Sequence, residues 1–459
     1  KPEALAAADP VMIQPRTLKG FRDHLPAQAL ARERVLDVAR RVYRSYGFAP
    51  IDTPALEHLE ILTGKGSDET DKQLYRFTDH GGREVGMRFD LTVPFARFAA
   101  QHVSELGLPF KRYHMATVWR GENTQRGRYR EFMQCDFDTI GTMSPVADLE
   151  MVLVVHDLLA AIGIERFTIR VNDRRVLAGV LERLGLTSQA TGVLRSLDKL
   201  GKAGPDAVAT ELVGQGVTDA AVATLIEMAG LAGAGMTADN VLGRLEDMIA
   251  ETGPGAAGVV ALRGIVAGVA AAGVPAGRVA IDPGIARGLD YYTGIVLESF
   301  LDDLPGLGSI CSGGRYDNLA GLYTKQPLPG VGASLGIDRL LAGLEELGQA
   351  GGPESPAEVF LAHFDGARLA DYLRIAAALR RAGIAVEFFP EAKKLGQQLK
   401  LASKRGIPLA LVIGGDEFVA GTAQLKDMVA ETATTIEWHG DLAAIAAAVA
   451  ARLASLRPG

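Results

Sequence analysis

The sequence predicts an α+β protein: a body on an antiparallel sheet, interrupted by a helical insertion and followed by a small separate α/β domain. Three observations predict it. Residues 74–142 carry short extended runs (LYRFTD, EVGMRFD, FKRYHMATVWR, REFMQCDFDTIG) set apart by the glycine-rich turns HGGR and RGENTQRGR. That is the pattern of antiparallel strands. Residues 174–275 are rich in Ala and Gly and read as helix. After residue 357, strand and helix patterns alternate.

Taken in order, QALARERVLDVARRVYRSY (28–46) sets Leu30, Val35, Val38, Val42 and Tyr43 at helical spacing, and Gly47 ends the helix. FAPIDTPAL then reads as an extended strand ending at Pro54. TVPFARFAAQHVSEL is a helix between strands, and residues 145–163 are another, followed by the strand FTIRVND. Sheet character returns at 279–340, and GVGASLGIDRLLAGL begins as a strand and becomes a helix. A linker at 346–357 leads into strand VFLAHF, helix ARLADYLRIAAALRRAG, strand IAVEFF, helix LGQQLKLASKRG, strand LALVIGG, an extended TAQLKDM and a terminal helix. This predicts a mostly parallel sheet. The expected domains are 1–173 with 278–345, the insertion 174–277, the linker 346–357 and the final domain 358–459.

The net charge of -7 excludes a protein that binds nucleic acid through a globally basic surface, so any such contact needs local positive patches. Cys135 and Cys311 stand far apart, with no metal or disulfide spacing, which favours a reducing, cytoplasmic setting. The first residues lack a signal-peptide core, and every long apolar window carries a charge, so no membrane span is expected.

Three segments place charge inside strand-forming sequence, where it is costly unless paired, solvated or used. The first, VWRGENTQRGRYREFMQCDFD (118–138), folds as a hairpin with Arg120 expected to face the returning strand near Phe132 and Gln134. Alternation puts Phe132, Gln134, Asp136 and Asp138 on one face. An arginine there suits a phosphate, although a solvated hairpin edge is the plainer alternative. The second, ARGLDYYTGIVLE (286–298), crowds Arg287, Asp290, Tyr291 and Tyr292 between glycines and reads equally as a pocket wall or a core strand. The third, CSGGRYDNLAGL with GVGASLGIDRLLAGL, offers glycines that let a ligand approach backbone, with Arg339 after a strand-to-helix junction. Neither a dinucleotide fingerprint nor a P-loop occurs.

Together these segments resemble the class II aminoacyl-tRNA synthetases, specifically the histidyl-tRNA synthetase family. Residues 28–54 look like class motif 1, WRGENTQRGRYREF like motif 2 and GIDRLL like motif 3. More specific are RGLDYYTG (287–294) and GGRYDNL (313–319), which match the two histidine signatures. MRFDLTVPFAR, RYREFMQCDFD, VNDRR and KKLGQQLKLASKRGIPLALVIGGDE are also family-like. The resemblance implies a class II catalytic domain, an anticodon-binding C-terminal domain, a homodimer, and histidine, ATP with Mg²⁺, and tRNA(His) as ligands. It implies that Arg120 and Arg287 hold the α-phosphate from two sides. Phe132 and Arg339 would sandwich adenine, with Glu122 at its amino edge. Asp90, with Leu91 and Thr92, and Gln134 would hold the substrate ammonium. Asp138 and Tyr292 would read the imidazole nitrogens, and Tyr129 and Tyr291 would line that pocket.

Two departures stand out. Position 90 is Asp where many bacterial members have Glu, and the turn Gly121–Arg126 lacks the usual Arg-Pro-Gln pattern, which leaves the acceptor-end bases read by this chain open. The rival of a different class is the catalytically silent paralogue that regulates ATP phosphoribosyltransferase. Such paralogues lose catalytic arginines and the C-terminal domain, whereas Arg120, Arg287, Arg339 and residues 357–459 are all present here. A general nucleic-acid module is disfavoured by the acidic charge and the lack of aromatic–basic interleaving.

Overall fold

A computed structural model describes residues 12–63, 72–285, 292–350 and 352–456. They form two compact units: residues up to 23 with 35–347, and residues 24–34 with 348 onward.

In the first unit, an eight-stranded sheet has the order β1 (Ala49–Pro50), β5 (Phe110–Trp119), β6 (Glu131–Ile140), β11 (Gly330–Gly336), β10 (Cys311–Tyr316), β9 (Ile295–Leu301), β7 (Phe167–Asp173), β8 (Val279–Ile281). A three-stranded sheet of β2 (Leu56–His58), β4 (Glu84–Met87) and β3 (Arg76–Thr78) accompanies it. The large sheet is antiparallel through its centre but parallel at both edges, where β1 pairs with β5 and β8 with β7. The long strand expected over FAPIDTPAL reduces to two paired residues. Ile51 still donates its N–H to the Tyr113 carbonyl, but Pro54 has no N–H to extend a ladder.

The helix Pro26–Ser45 ends at Gly47, whose φ of 79° only glycine adopts cheaply. Its last turns cover the odd-numbered face of β5 and β6. Tyr43 packs on Phe137 at 4.9 Å between ring centroids and donates its hydroxyl to the Cys135 carbonyl at 3.2 Å. Alternation then turns the even-numbered residues of the same strands to the opposite face. Near that face the helix Thr92–Leu106 packs Phe95, Ala96 and Ala99 against Ile140, Tyr316 and Leu319.

Residues 174–271 are helical, with Asp173 capping the first helix by accepting from the Arg175 N–H. The helix Pro254–Ala271 is long and apolar enough to cross a membrane by length and composition, a feature the sequence reading did not single out because Arg263 interrupts it. Its buried face, including Val259, Leu262 and Ile265, is turned inward, while Arg263 pairs with Glu246.

In the second unit a sheet runs β13 (Val386–Phe388), β12 (Val359–Leu361), β14 (Leu409–Val412), β15 (Thr422–Asp427), β16 (Thr432–Glu437). Helices Leu369–Arg381 and Leu442–Leu456 pack Tyr372, Ile375, Val449 and Leu453 on one face. Ala402 and Ile407 help cover the other. The sheet is evenly mixed rather than mostly parallel, because β15 and β16 are antiparallel. The connection from β14 to β15 holds only the short helix Gly415–Ala420, too little chain for a parallel crossover. The strand β16 is not marked in the sequence. Its side chains are mostly exposed, so it has no apolar alternation to reveal it.

Candidate active site

The even face of the large sheet is organised in rows of directly opposed residues. One row reads Arg112, Asp138, Gly332, Gly314, Val296, Asn172 across β5, β6, β11, β10, β9 and β7. The next reads His114, Asp136, Ser334, Ser312, Glu298, Arg170. The pair of glycines in the first row leaves a trough in the middle of the sheet. A Cβ on Gly332 would stand 1.9 Å from Asp138 Oδ1, and one on Gly314 would stand 3.0 Å from the Tyr292 ring.

Over this trough lies a cavity of about 330 Å³ lined by Asp90, Thr92, Arg120, Gln134, Asp138, Tyr292, Glu298, Ser312, Tyr316 and Ser334, among others. Asp138 is buried at its floor. Its Oδ1 accepts from the Tyr316 hydroxyl at 2.5 Å, and its Oδ2 lies 2.6 Å from the Arg112 guanidinium. Gln134 gives its amide N–H to Ser334 at 2.9 Å, while its Oε1 is buried without a hydrogen-bond partner. That oxygen is an acceptor waiting for a donor. Asp90 stands at the start of the helix Thr92–Leu106 and accepts from the Val93 N–H at 3.0 Å.

Burial dominates the electrostatics. It raises the carboxyl pKa values of Asp90, Asp136 and Asp138, that of Asp136 to about 7, against the pull of Arg112. Burial also lowers His114 to about 4, helped by Arg112 and Arg88 and opposed by Asp52. A cluster of carboxyls with raised values in a cleft is a functional signature.

A second cavity, about 150 Å³, shares Arg120, Gln134, Ser312 and Ser334 with the first. It adds Glu122, Tyr129, Phe132 and Arg339. The flat Phe132 ring and the planar Arg339 guanidinium suit an aromatic heterocycle. Arg339 is held by the Ser309 carbonyl, and Asp338 ties the same helix start to β6 by accepting from the Met133 N–H at 2.8 Å. Arg120 anchors its Nε on the Phe89 carbonyl at 2.8 Å and lies over the Phe132 ring at 5.2 Å.

The hairpin register fixes how Arg120 meets the returning strand. Arg120 N–H bonds the Arg130 carbonyl, Val118 opposes Phe132, and Ala116 opposes Gln134. Arg120 therefore stands opposite Arg130 and reaches Phe132 diagonally. Asp90, Thr92, Arg120, Gln134, Asp138 and Tyr292 come together in the first cavity, and Arg120, Glu122, Phe132 and Arg339 in the second. Two expected residues stand elsewhere. Leu91 is fully buried, and its carbonyl accepts from Arg112 at 3.3 Å. Tyr129 lines the second cavity, stacked with Arg22 at 3.7 Å, because the hairpin turn carries it toward the Arg339 side. Arg287 and Tyr291 lie outside the described residues. The sequence reading missed Arg112, Glu298, Ser312, Tyr316 and Ser334. Arg112 was visible as a charge inside a strand. The others needed the pairing of β10 with β11 and β9.

Comparison with known proteins follows the same division. The histidyl-tRNA synthetase family model matches residues 20–340, and an anticodon-binding domain model matches residues 359–447. A histidine–tRNA ligase of Rhodopirellula baltica is 58% identical over 428 residues, covering 93% of this chain and 96% of the relative. One from Wolinella succinogenes is 46% identical over 418 residues, covering 91% and 94%. The crystal structure of histidyl-tRNA synthetase from Nostoc sp. PCC 7120 superposes with a TM-score of 0.87 at 35% identity, covering 96% of this chain and all of that one. On both domain models and these relatives, the chain belongs to the histidyl-tRNA synthetase family.

Proposed function

We infer that the two joined cavities are the histidine and ATP sites of this ligase. The enzyme activates histidine with ATP, giving histidyl-adenylate and pyrophosphate, and then transfers histidine to the 3′ end of its tRNA. The observation that carries our assignment is that Arg120 and Gln134 line both cavities, so ligands in the two meet at Arg120.

In this reading Asp138 and Tyr292 take the imidazole edges. A carboxylate at one nitrogen and a hydroxyl at the other select that ring, since an isostere leaves buried groups unpaired. Asp90, Thr92 and the free Gln134 Oε1 receive the ammonium, and Phe132, Glu122 and Arg339 hold adenine. The substrate carboxylate attacks the α-phosphorus, and the bond to the pyrophosphate oxygen breaks. No general base is needed, because the attacking carboxylate is already ionised. Arg120 offsets the repulsion of two anions and stabilises the charge of the transition state, with Arg287 assigned the opposite side. Among the described residues no group of three or more His, Cys, Asp or Glu is arranged to hold a metal. Mg²⁺ is assigned to the nucleotide, as part of the substrate carried on its β- and γ-phosphates. We assign residues 358–459 to the anticodon, the helices of 174–277 to an insertion, the helix Pro26–Ser45 to a homodimer contact, and the enzyme to the cytoplasm.

Histidine-dependent ATP–pyrophosphate exchange tests the assignment. The chain should exchange only with histidine present and charge one tRNA. Absence of exchange alongside intact folding would favour the regulatory paralogue.

A further inference from the structure

We propose that Arg112 is a positioning residue for histidine activation: from beneath the cavity it holds the Asp138 carboxylate in one orientation and as an anion, ready for the substrate ring. This deepens the assignment of Asp138 to the imidazole and rests on it.

Arg112 is fully buried, the largest such side chain among the described residues. It stands directly opposite Asp138 in the β5–β6 register, so both side chains leave the same face of the sheet. Its Nη2 lies 2.6 Å from Asp138 Oδ2, 3.9 Å from Asp136 Oδ2 and 3.3 Å from the Leu91 carbonyl. The guanidinium plane rests over the Phe95 ring at 4.4 Å. Tyr316 holds the other oxygen of Asp138. One carboxylate oxygen is thus hydrogen-bonded by Tyr316 and the other is held by the charge of Arg112, and Gly332, lacking a Cβ, leaves the room that the carboxylate occupies.

A structural role alone accounts poorly for this arrangement. An arginine cannot shed its proton, and burying one is expensive. Here Nε and Nη1 have no hydrogen-bond partner, so the cost is not fully offset locally. A hydrophobic side chain of similar volume would pack as well. What only the cation supplies is a charge next to crowded carboxyls. The ionisable groups around Asp138 are Arg112 and His114 from β5, Arg120 just past its end, Asp136 from its own strand and Asp90 before the helix Thr92–Leu106. Tyr316 from β10, Tyr292 before β9 and Glu298 from β9 complete the set. With His114 neutral, Arg112 and Arg120 are the cations in that set, and Arg112 is the one in contact with Asp138. Without it, burial would keep Asp138 protonated to higher pH.

The experiment is ATP–pyrophosphate exchange by the full-length protein across pH, for wild type, Arg112→Met, Arg112→Lys and Asp138→Asn. Arg112→Met should raise the histidine KM about 10- to 100-fold, leave the ATP KM within about twofold, and move the acid limb of kcat/KM for histidine upward by about one pH unit. Arg112→Lys keeps the charge but loses the planar group seated on the Phe95 ring that fixes its place beside Asp138, so it should return the acid limb while the histidine KM stays raised. If Arg112→Met does not fold, the lysine variant decides: a raised histidine KM with an unchanged ATP KM supports the proposal, and a wild-type KM overturns it. A wild-type acid limb and histidine KM in a folded Arg112→Met protein overturn it too. If Asp138→Asn itself leaves the histidine KM unchanged, the assignment of Asp138 falls and takes the proposal with it. If Asp138→Asn is impaired while both Arg112 variants are normal, only the proposal falls.

Discussion

Asp138 and Gly332 face each other across β6 and β11, and a single carbon on Gly332 would stand 1.9 Å from Asp138 Oδ1. The glycine is the room in which the carboxylate sits. Because the atom it would meet is held by Tyr316, the clash cannot be relieved by a simple rotation. Gly332→Ala should therefore displace Asp138, raise the histidine KM at least about tenfold and cost about 1–3 kcal/mol of stability. Exchange kinetics with denaturant melts check both, and a normal KM would show that Asp138 does not touch the substrate.

Arg120 is common to both cavities and is anchored by the Phe89 carbonyl. Arg120→Ala should lower kcat for exchange about 10²–10³-fold, the usual loss for one oriented donor at a developing charge. Arg120→Lys should recover little of it, because a point charge does not reproduce the fork. Single-turnover adenylate formation is the direct measurement.

His114 is kept neutral by burial and by Arg112 and Arg88, with its pKa lowered from the usual 6.5 to about 4. Between those values the unfolded chain takes up a proton that the fold refuses, so stability is lost as pH falls from 6.5 toward 4. Asp136, raised to about 7, acts in the opposite sense as pH falls through the same range. Comparing His114→Gln with wild type therefore isolates the histidine. The variant should lose less stability between pH 7 and 5, by up to about 2 kcal/mol. Urea melts at the two pH values test this, and parallel losses would refute it.

Gln398, fully buried in the second unit, accepts from the His363 N–H at 2.9 Å and donates to the carbonyls of His363 and Lys393 at 2.5 and 2.7 Å. It joins the end of β12 to the helix Leu395–Lys404. Gln398→Ala strands two backbone groups, the His363 N–H and the Lys393 carbonyl, and should cost about 2–4 kcal/mol. Charging of tRNA should weaken while ATP–pyrophosphate exchange stays near wild type. Equal loss of both activities would contradict the assigned division of labour.

Much of the site was legible as local pattern. Period-2 alternation from Phe132 through Gln134 to Asp138 placed those residues on one face, and that needs nothing beyond a strand. The helix Thr92–Leu106 and the strands β5 and β6 were readable because amphipathic periodicity and glycine turns are local signals. Less legible were β16, whose exposed residues carry no period, and the short β1.

The sequence by itself determined the family, most of the strand and helix order and the chemical types gathered on those strands, because these depend on neighbours a few residues apart. Only the tertiary structure decided which strands lie side by side. That choice put Gly332 beside Asp138, Tyr316 onto its oxygen and Tyr129 in the second cavity. It also buried Arg112 beneath the floor. Register between distant strands is set by the packing of whole faces, and no local spacing encodes it.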